Sequence, residues 1–431
     1  MRGAIAATSV AQIVVVALAF VTQVAQARIL GAEGRGDLAR FVNAGSLSVL
    51  YLGLGISSAI TYFISSGTIS STSLQRQLRL YLAGLTVVAL LAFTIVAISP
   101  LGRFLPQTMG TPMAVVALTT FFAVSQAGTW LAAILAGRAD FSALNRSAVA
   151  VAIGLGVASV GLLLVSPPWA GPWTIIAFVI AAEAIRVAIL AYYLRKRNGD
   201  DSSASGSTAS SLRVGQLWRY SGMSYVGDAL QFLTYRFDMW VVDAYRGGGE
   251  LGQYALAVAL VQLVWIVPTA IARVYFPYTA ASRAADAIRM TRRAMSAALI
   301  VGLLTGAGAW VGSQWFLTTI IGDAFAPATG LISIMLLGVV PYSAAKVAGG
   351  YFAATNALRI NVLAAGAVLV LTVALDLVLI PIHGAVGAAW ATAVSYVAYT
   401  LILVAEFFRR ARATREQERR SASDTRPSRS R

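Results

Sequence analysis

Cysteine is absent from this 431-residue sequence, and histidine occurs only once. The absence of cysteine excludes disulfide bonds, thiolate metal sites and cysteine nucleophiles. The single histidine, His383, is expected in a loop near Pro381, so a histidine metal cluster is excluded as well. We therefore predict a protein with no metal site and no cofactor.

Charged residues are also scarce. They make up 12% of the chain, and hydrophobic residues make up 58%, whereas a soluble domain has about 25% charged residues. Apolar runs of about 20 residues recur, each long enough to cross a bilayer as a helix. The runs are continuous rather than alternating, which favours helices over the strands of a membrane barrel. The sequence therefore predicts an all-α polytopic membrane protein.

The pattern of apolar runs predicts about twelve transmembrane helices. They lie near residues 4–27, 37–64, 78–98, 112–136, 146–166, 172–194, 216–244, 251–278, 292–312, 328–354, 361–381 and 385–408. The net charge of +16 would suggest nucleic-acid binding in a soluble protein. Here the basic residues lie mainly at the ends of the spans, so they indicate orientation in the membrane and no nucleic-acid partner.

The distribution of the 33 lysines and arginines supports this count of helices. If the N-terminus is cytoplasmic, 24 of them fall in inside segments and 5 in outside segments. The other four lie within spans and are Arg186, Arg236, Arg273 and Lys346. Because positive charge concentrates on the cytoplasmic side of membrane proteins, we predict that both termini are cytoplasmic. The first span imitates a signal peptide, but we expect it to be retained because the second half has an internal counterpart.

Two short segments echo each other half a chain apart. Residues 34–41 read GRGDLARF and residues 247–254 read GGGELGQY, at an offset of 213 residues. Each segment follows one apolar span and opens another. Six helices per half, an even number, give parallel halves related by an axis along the membrane normal. We therefore predict two parallel six-helix lobes around a central cavity.

The predicted lobes span residues 1–194 and 216–408. A cytoplasmic linker at 195–215 is rich in serine and glycine between them. The tail at 409–431 carries nine arginines and is predicted to be disordered. A solvated stop-transfer tail is the simpler interpretation, and contact with anionic lipid headgroups is the alternative.

Three segments resemble the polysaccharide flippases of the multidrug/oligosaccharidyl-lipid/polysaccharide exporter superfamily. ARILGAEGRG at 27–36 is similar to the first outer loop of that family. YRFD at 235–238 followed by ELGQYA at 250–255 is similar to the start of its second half. LVLIPIHGAVGAAWAT at 377–392 is similar to its penultimate-loop signature. The resemblance covers nearly the whole chain, and Asp376 departs from it because asparagine is common there.

The resemblance implies a flippase of the bacterial inner membrane. Its cargo would be an undecaprenyl-pyrophosphate-linked oligosaccharide, moved by alternating access between two lobes. Twelve helices are typical of the O-antigen or exopolysaccharide branch, whereas lipid II flippases usually have fourteen. The implied partners are the lipid-linked substrate, the bilayer and polysaccharide-assembly machinery, and a monomer is the expected state.

Ionisable groups inside spans are costly and are therefore functional candidates. The predicted substrate-binding cations are Arg236, Lys346, Arg273 and Arg28. A guanidinium group suits phosphate oxygens, so Arg236 would contact the pyrophosphate; a static salt bridge is the alternative. Snorkelling is the alternative for Arg273, and an interfacial anchor is the alternative for Arg28. Lys346 lies near the middle of its span, where it would line a cavity or change protonation during coupling.

Acidic groups inside spans are candidates for ion coupling or ion pairing. They are Asp238, Glu183, Asp376 and Asp228. Asp238 lies two residues from Arg236 and points to another side of the helix, so each needs a separate partner. Glu183 lies three residues before Arg186, so a local ion pair is the simpler interpretation. A proton or sodium site is the alternative.

Two prolines interrupt predicted helices. Pro268 falls in the eighth helix and Pro341 in the tenth. A proline frees a carbonyl group and permits a bend. Both are therefore hinge candidates, with a fixed kink as the alternative.

Two other functions compete with the flippase. A cation-coupled multidrug exporter of the same superfamily would need acidic or aromatic sites for organic cations, whereas intramembrane cations are prominent here. A membrane-embedded glycosyltransferase or polymerase would need a sizeable loop with catalytic carboxylates, and the predicted loops are short. We therefore predict a transporter rather than an enzyme.

Overall fold

The computed structural model describes residues 2–53, 55–65, 71–108, 110–138, 140–201, 214–355 and 357–424. Several side chains within these ranges lie outside the description, including those of residues 2–13, 71–76, 197–201, 214–229 and 273. The described residues are helical with short connections and contain no strand. The helices are α1 (Arg2–Gly53), α2 (Ile56–Ser65), α3 (Ser71–Ile98), α4 (Thr111–Gly137), α5 (Phe141–Val165), α6 (Pro172–Asp201), α7 (Val214–Gln262), α8 (Ile266–Ala281), α9 (Ala284–Phe316), α10 (Ala326–Ala354), α11 (Leu358–His383) and α12 (Ala385–Asp424).

Two apolar stretches are too long for a single membrane crossing. Val14–Gly53 has 40 residues and Phe232–Phe276 has 45, whereas about 20 helical residues cross a bilayer. α1 bends at Gly31 (φ 63°, ψ −171°) and α7 bends at Gly247 (φ 79°, ψ −173°). Only glycine adopts this backbone region without strain. Ten described stretches can span a membrane, and two of them make two passes, which confirms the predicted count of about twelve.

The contacts among the first six helices recur among the second six. α4 packs against α2, α3 and α6, and α10 packs against α8, α9 and α12. α5 contacts α6, and α11 contacts α12. Every contact is displaced by six helices, as expected for a duplicated parallel repeat. The predicted all-α fold with two six-helix repeats is therefore confirmed.

Two compact units divide the chain. One comprises Met1–Leu256 and Ile320–Phe325, and the other comprises Ala257–Thr319 and Ala326–Arg431. Most of α7 thus belongs to the first unit, although the sequence predicts that the second lobe begins at residue 216. Residues 202–213 of the predicted linker lie outside the described residues, and the lobe boundary stays a prediction.

The equivalent helices α4 and α10 carry much of the core of their units. In the first unit, Phe121 on α4 lies edge-on to Phe41 with ring centroids 5.3 Å apart, and both side chains are buried. In the second unit, Tyr351 on α10 lies edge-on to Phe407 with centroids 5.1 Å apart. Edge-to-face packing of buried aromatic rings contributes roughly 0.5–1.5 kcal/mol beyond their buried area. The repeat is therefore preserved in packing as well as in topology.

α12 continues well beyond its apolar span. The sequence predicts disorder from residue 409, but the helix ends at Asp424. Glu406 forms ion pairs with Arg409 at 2.6 Å and with Arg410 at 3.0 Å. Pairs at these spacings stabilise a helix, so the basic tail begins as a helical extension. Residues 425–431 lie outside the described residues.

Candidate functional site

The backbone segments that follow the two bends lie against each other in the first unit. A side-chain carbon on Gly36 would overlap the carbonyl oxygen of Gly248, and one on Gly252 would overlap the carbonyl oxygen of Ala32. Each of these close glycines lies five residues after the glycine of its own bend. The bends at Gly31 and Gly247 are 216 residues apart. The structural repeat is therefore three residues out of register with the sequence echo.

The residue after each close glycine makes an equivalent contact. Asp37 accepts backbone hydrogen bonds from Gln107 (3.1 Å) and Thr108 (2.8 Å) in the connection between α3 and α4. Gln253 donates a hydrogen bond to the carbonyl oxygen of Ala324 (3.0 Å) in the connection between α9 and α10. The same position of each repeat thus anchors the equivalent helix connection, which supports the register of 216.

A buried ion pair joins α1 to α7. The guanidinium of Arg40 donates to Asp243 through Nε (2.8 Å) and Nη2 (2.5 Å), and to Asp37 through Nη1 (2.8 Å). The three side chains are at most 11% exposed. A buried charge pair needs this complete hydrogen bonding to offset its desolvation. The sequence interpretation counted Arg40 as an outside charge and overlooked Asp243, whose signal is its place within an apolar run.

Arg236 and Asp238 take separate partners, as their spacing predicts. Arg236 Nη1 donates to Oδ1 of Asn43 at 3.0 Å. Asp238 Oδ2 accepts a hydrogen bond from the hydroxyl of Tyr254 at 2.5 Å. Asn43 also donates to Sδ of Met239 at 3.1 Å. These contacts form a second polar link between α1 and α7, and they involve asparagine and tyrosine residues that sequence reasoning missed.

An apolar cavity of about 540 Å³ lies beside this polar link. Its walls come from α1, α3, α7 and the turn at Pro100–Phe104, and they include Ala44 and Trp240. Ala44 follows Asn43 directly, and Trp240 lies one helical turn after Arg236. Cavities of this size with mainly apolar walls are typical ligand sites. The first unit therefore places a cation beside room for an apolar group.

Arg35 is a further buried cation of the first unit. Its residue is 6% exposed, and its guanidinium donates to Oε1 of Gln26 (3.2 Å) and to Oε1 of Gln23. Both partners are neutral, and Nε has no hydrogen-bond partner among the described residues. A buried charge without a counter-charge is costly. Arg35, which sequence reasoning treated as an outside charge, is therefore a candidate ligand for an anion.

Lys346 belongs to the second unit and lies in an aromatic cluster. Its Nζ is 4.6 Å from the ring centroid of Trp265 and 5.2 Å from that of Tyr342. Tyr342 stacks on Tyr396 with centroids 4.9 Å apart. An ammonium group over aromatic faces is stabilised by cation–π attraction. The structure thus places this predicted cation against buried rings.

The other predicted cations and hinges are distributed along the chain. Arg28 is exposed on α1, and Arg273 lies on α8 with its side chain outside the described part. Pro268 lies in the first turn of α8, directly after a 3-10 turn at Leu263–Trp265. Pro341 lies inside α10, which continues on both sides of it. Their roles stay predictions.

The other predicted acids differ in their surroundings. Glu183 pairs with Arg186 at 3.2 Å, which is the local ion pair that the spacing predicts. Asp376 is fully buried on α11. Asp228 lies on α7, and its side chain is outside the described part. A coupling role for any of them stays a prediction.

Solved structures identify the class of protein as a transporter fold. The lipid II flippase MurJ in an inward closed conformation matches with a TM-score of 0.68 and 13% identity, over 93% of this chain and 87% of that chain. An inward-facing MATE multidrug resistance transporter matches with 0.64 and 14%, over 93% and 95%. A transporter from Pyrococcus furiosus with a binding pocket of reverse polarity matches with 0.60 and 12%, over 95% and 96%. At these identities the likeness shows the fold alone, which is that of the MOP superfamily.

The sequence itself matches the family of polysaccharide biosynthesis proteins. The match covers residues 2–283, about two thirds of the 431 residues. The chain therefore belongs to this family, which confirms the resemblance seen in its motifs. A comparison with curated protein sequences gives no match.

Proposed function

We propose that this protein is a flippase that moves an undecaprenyl-pyrophosphate-linked oligosaccharide across the bacterial inner membrane by alternating access. The observation that carries the proposal is the position of Arg236 beside the apolar cavity at Trp240. A lipid-linked substrate has the same two parts, a phosphate group and an apolar chain. Membership of a polysaccharide biosynthesis family supports a carbohydrate cargo.

In this proposal the pyrophosphate binds to arginine and lysine side chains of the spans. Arg236 makes the first contact because its planar guanidinium suits phosphate oxygens, and Asn43 orients it. The other proposed cations are Lys346, Arg273 and Arg28. The carboxylates Asp238, Glu183, Asp376 and Asp228 serve in ion pairs or coupling, and Pro268 and Pro341 serve as hinges.

The proposed orientation follows the charge distribution, with both termini in the cytoplasm. The substrate would then be loaded from the inner leaflet, where lipid-linked intermediates are assembled. Polysaccharide-assembly machinery is the proposed partner on this pathway, and the working unit is a monomer.

Reconstitution tests the proposal directly. Proteoliposomes would carry a lipid-linked oligosaccharide in the inner leaflet, and an external lectin would measure the sugar that reaches the outside. We expect wild-type protein to expose the sugar and Arg236→Ala and Lys346→Ala to abolish exposure. Arg246→Ala removes an exposed arginine from the same helix as Arg236 and should transport normally. Full activity of Arg236→Ala, or no activity of the wild type with any lipid-linked oligosaccharide, would contradict the proposal.

A cation-coupled multidrug exporter is the second candidate. The cluster of Trp265, Tyr342 and Tyr396 favours it, because aromatic faces bind organic cations. Lys346 already lies over two of these rings, so a cationic drug would meet a like charge. Resistance to organic cations in a pump-deficient strain would favour the exporter, and lipid translocation without resistance would favour the flippase.

A further inference from the structure

A second cavity, of about 240 Å³, lies between α3, α4 and α6 in the first unit. Arg79 on α3 and Arg195 on α6 line it together with apolar side chains such as Leu82 and Leu131. Both arginines are exposed, and neither forms an ion pair or a hydrogen bond with another side chain of the described residues. Two like charges therefore share one cavity without an acidic neighbour to compensate them.

The cavity lies at the ends of membrane spans. Arg79 is the third residue of the span Gln77–Ile98, and Arg195 is the penultimate residue of the span Pro172–Lys196. α3 begins and α6 ends on the side where these arginines lie, so both charges are at the same membrane surface. Trp130, which is 2% exposed, forms part of the wall. The site thus has a cationic rim at headgroup depth and an apolar interior.

We propose that this cavity binds an anionic phospholipid. The phosphate lies between Arg79 and Arg195, and an acyl chain lies along the apolar wall beside Trp130. Basic pockets between transmembrane helices are suited to anionic headgroups. Arginines that merely snorkel to the interface need no cavity between three helices. The bound lipid joins α3, α4 and α6 and stabilises the first unit, since a ligand stabilises the state to which it binds.

Lipid binding can be measured on the purified full-length protein without any transport assay. Phosphatidylglycerol should raise the unfolding midpoint and remain bound in native mass spectrometry, and phosphatidylcholine should do neither. Arg79→Gln with Arg195→Gln should lose both effects. Arg292→Gln with Arg293→Gln removes the same charge from exposed positions of α9 and should keep both. A double cavity variant that binds phosphatidylglycerol as well as this control does, or equal binding of phosphatidylcholine, overturns the proposal.

A chain-directed experiment separates a lipid from a free anion. Phosphatidylglycerol with brominated acyl chains should quench tryptophan fluorescence, and Trp130→Phe should remove part of that quenching. Ala191→Leu fills the cavity but keeps both arginines, so it should also reduce quenching. Inorganic phosphate should not shift the unfolding midpoint; a shift equal to that of phosphatidylglycerol would identify a free-anion site and overturn the lipid proposal. Because none of these readouts involves translocation, their failure would leave the proposed function unaffected.

Discussion

Gly36 lies so close to the carbonyl oxygen of Gly248 that no side-chain carbon fits between the two backbones. Gly252 and Ala32 make the same contact with the roles of the repeats exchanged. The obstacle in both cases is backbone, so no change of rotamer relieves it. The contact therefore demands glycine at two positions that the duplicated sequence places 216 residues apart.

Alanine at either close glycine should destabilise the protein. Gly36→Ala and Gly252→Ala each force the backbones apart, and overpacking of this kind costs about 1–3 kcal/mol. Thermal unfolding in detergent should show a lower midpoint for both variants. Gly84→Ala on α3 is the matched control because its new carbon meets no atom within 4 Å. The control should be unchanged or more stable by up to about 1 kcal/mol; an equal loss in all three variants would refute the close contact.

A disulfide placed at the same contact should control translocation. Glu33 Cγ lies 4.0 Å from the position of a side-chain carbon on Gly249, and a cysteine sulfur occupies the place of Cγ. The chain has no cysteine of its own, so Glu33→Cys with Gly249→Cys should form a single bridge on oxidation. Alternating access needs domain movement, so we expect oxidation to stop translocation and reduction to restore it. Glu33→Cys alone should be insensitive, and full activity of the bridged protein would show that these segments do not separate.

Sequence reasoning found the fold because apolar run length and charge asymmetry are strong signals. The register of the repeat was less accessible. The echo aligns Gly34 with Gly247 by residue type, whereas the bends align Gly31 with Gly247 by backbone conformation. Several glycines occur in each segment, and sequence alone does not show which one adopts the positive φ. Only the backbone contact distinguishes them.

The candidate site was predictable in part. An arginine within a span, such as Arg236, draws attention because its burial is costly. Its partner Asn43 lies on another helix, and polar residues of this kind are common enough to carry no signal. Arg40 stands in a segment that reads as an outside loop, although it is largely buried against Asp243. Pairing between distant helices depends on packing, which a single sequence does not encode in a visible motif.

The pair of Arg40 and Asp243 should behave as a coupled unit. Arg40→Met leaves a buried carboxylate without its cation, and breaking a buried pair costs about 3–5 kcal/mol. Adding Asp243→Leu removes the second charge, so the double variant should recover much of that loss. A double-mutant cycle on the free energy of unfolding measures the coupling. The exposed pair of Asp286 and Arg289 on α9 is the control and should couple by less than about 1 kcal/mol; additive losses at Arg40 and Asp243 would contradict the buried pair.

Arg35 should show stability and transport moving in opposite directions. Arg35→Gln keeps a hydrogen-bonding group near Gln23 and Gln26 but removes a buried charge that has no counter-charge among the described residues. Removal of such a charge should leave stability unchanged or raise it by about 1 kcal/mol or more. If the guanidinium serves as a ligand for the anionic cargo, translocation should fall in the same variant, and Arg35→Lys should retain part of it because the charge remains. Unfolding midpoints and lectin-detected translocation check the two effects on one preparation. A variant that loses stability together with transport would instead show that Arg35 has a structural role.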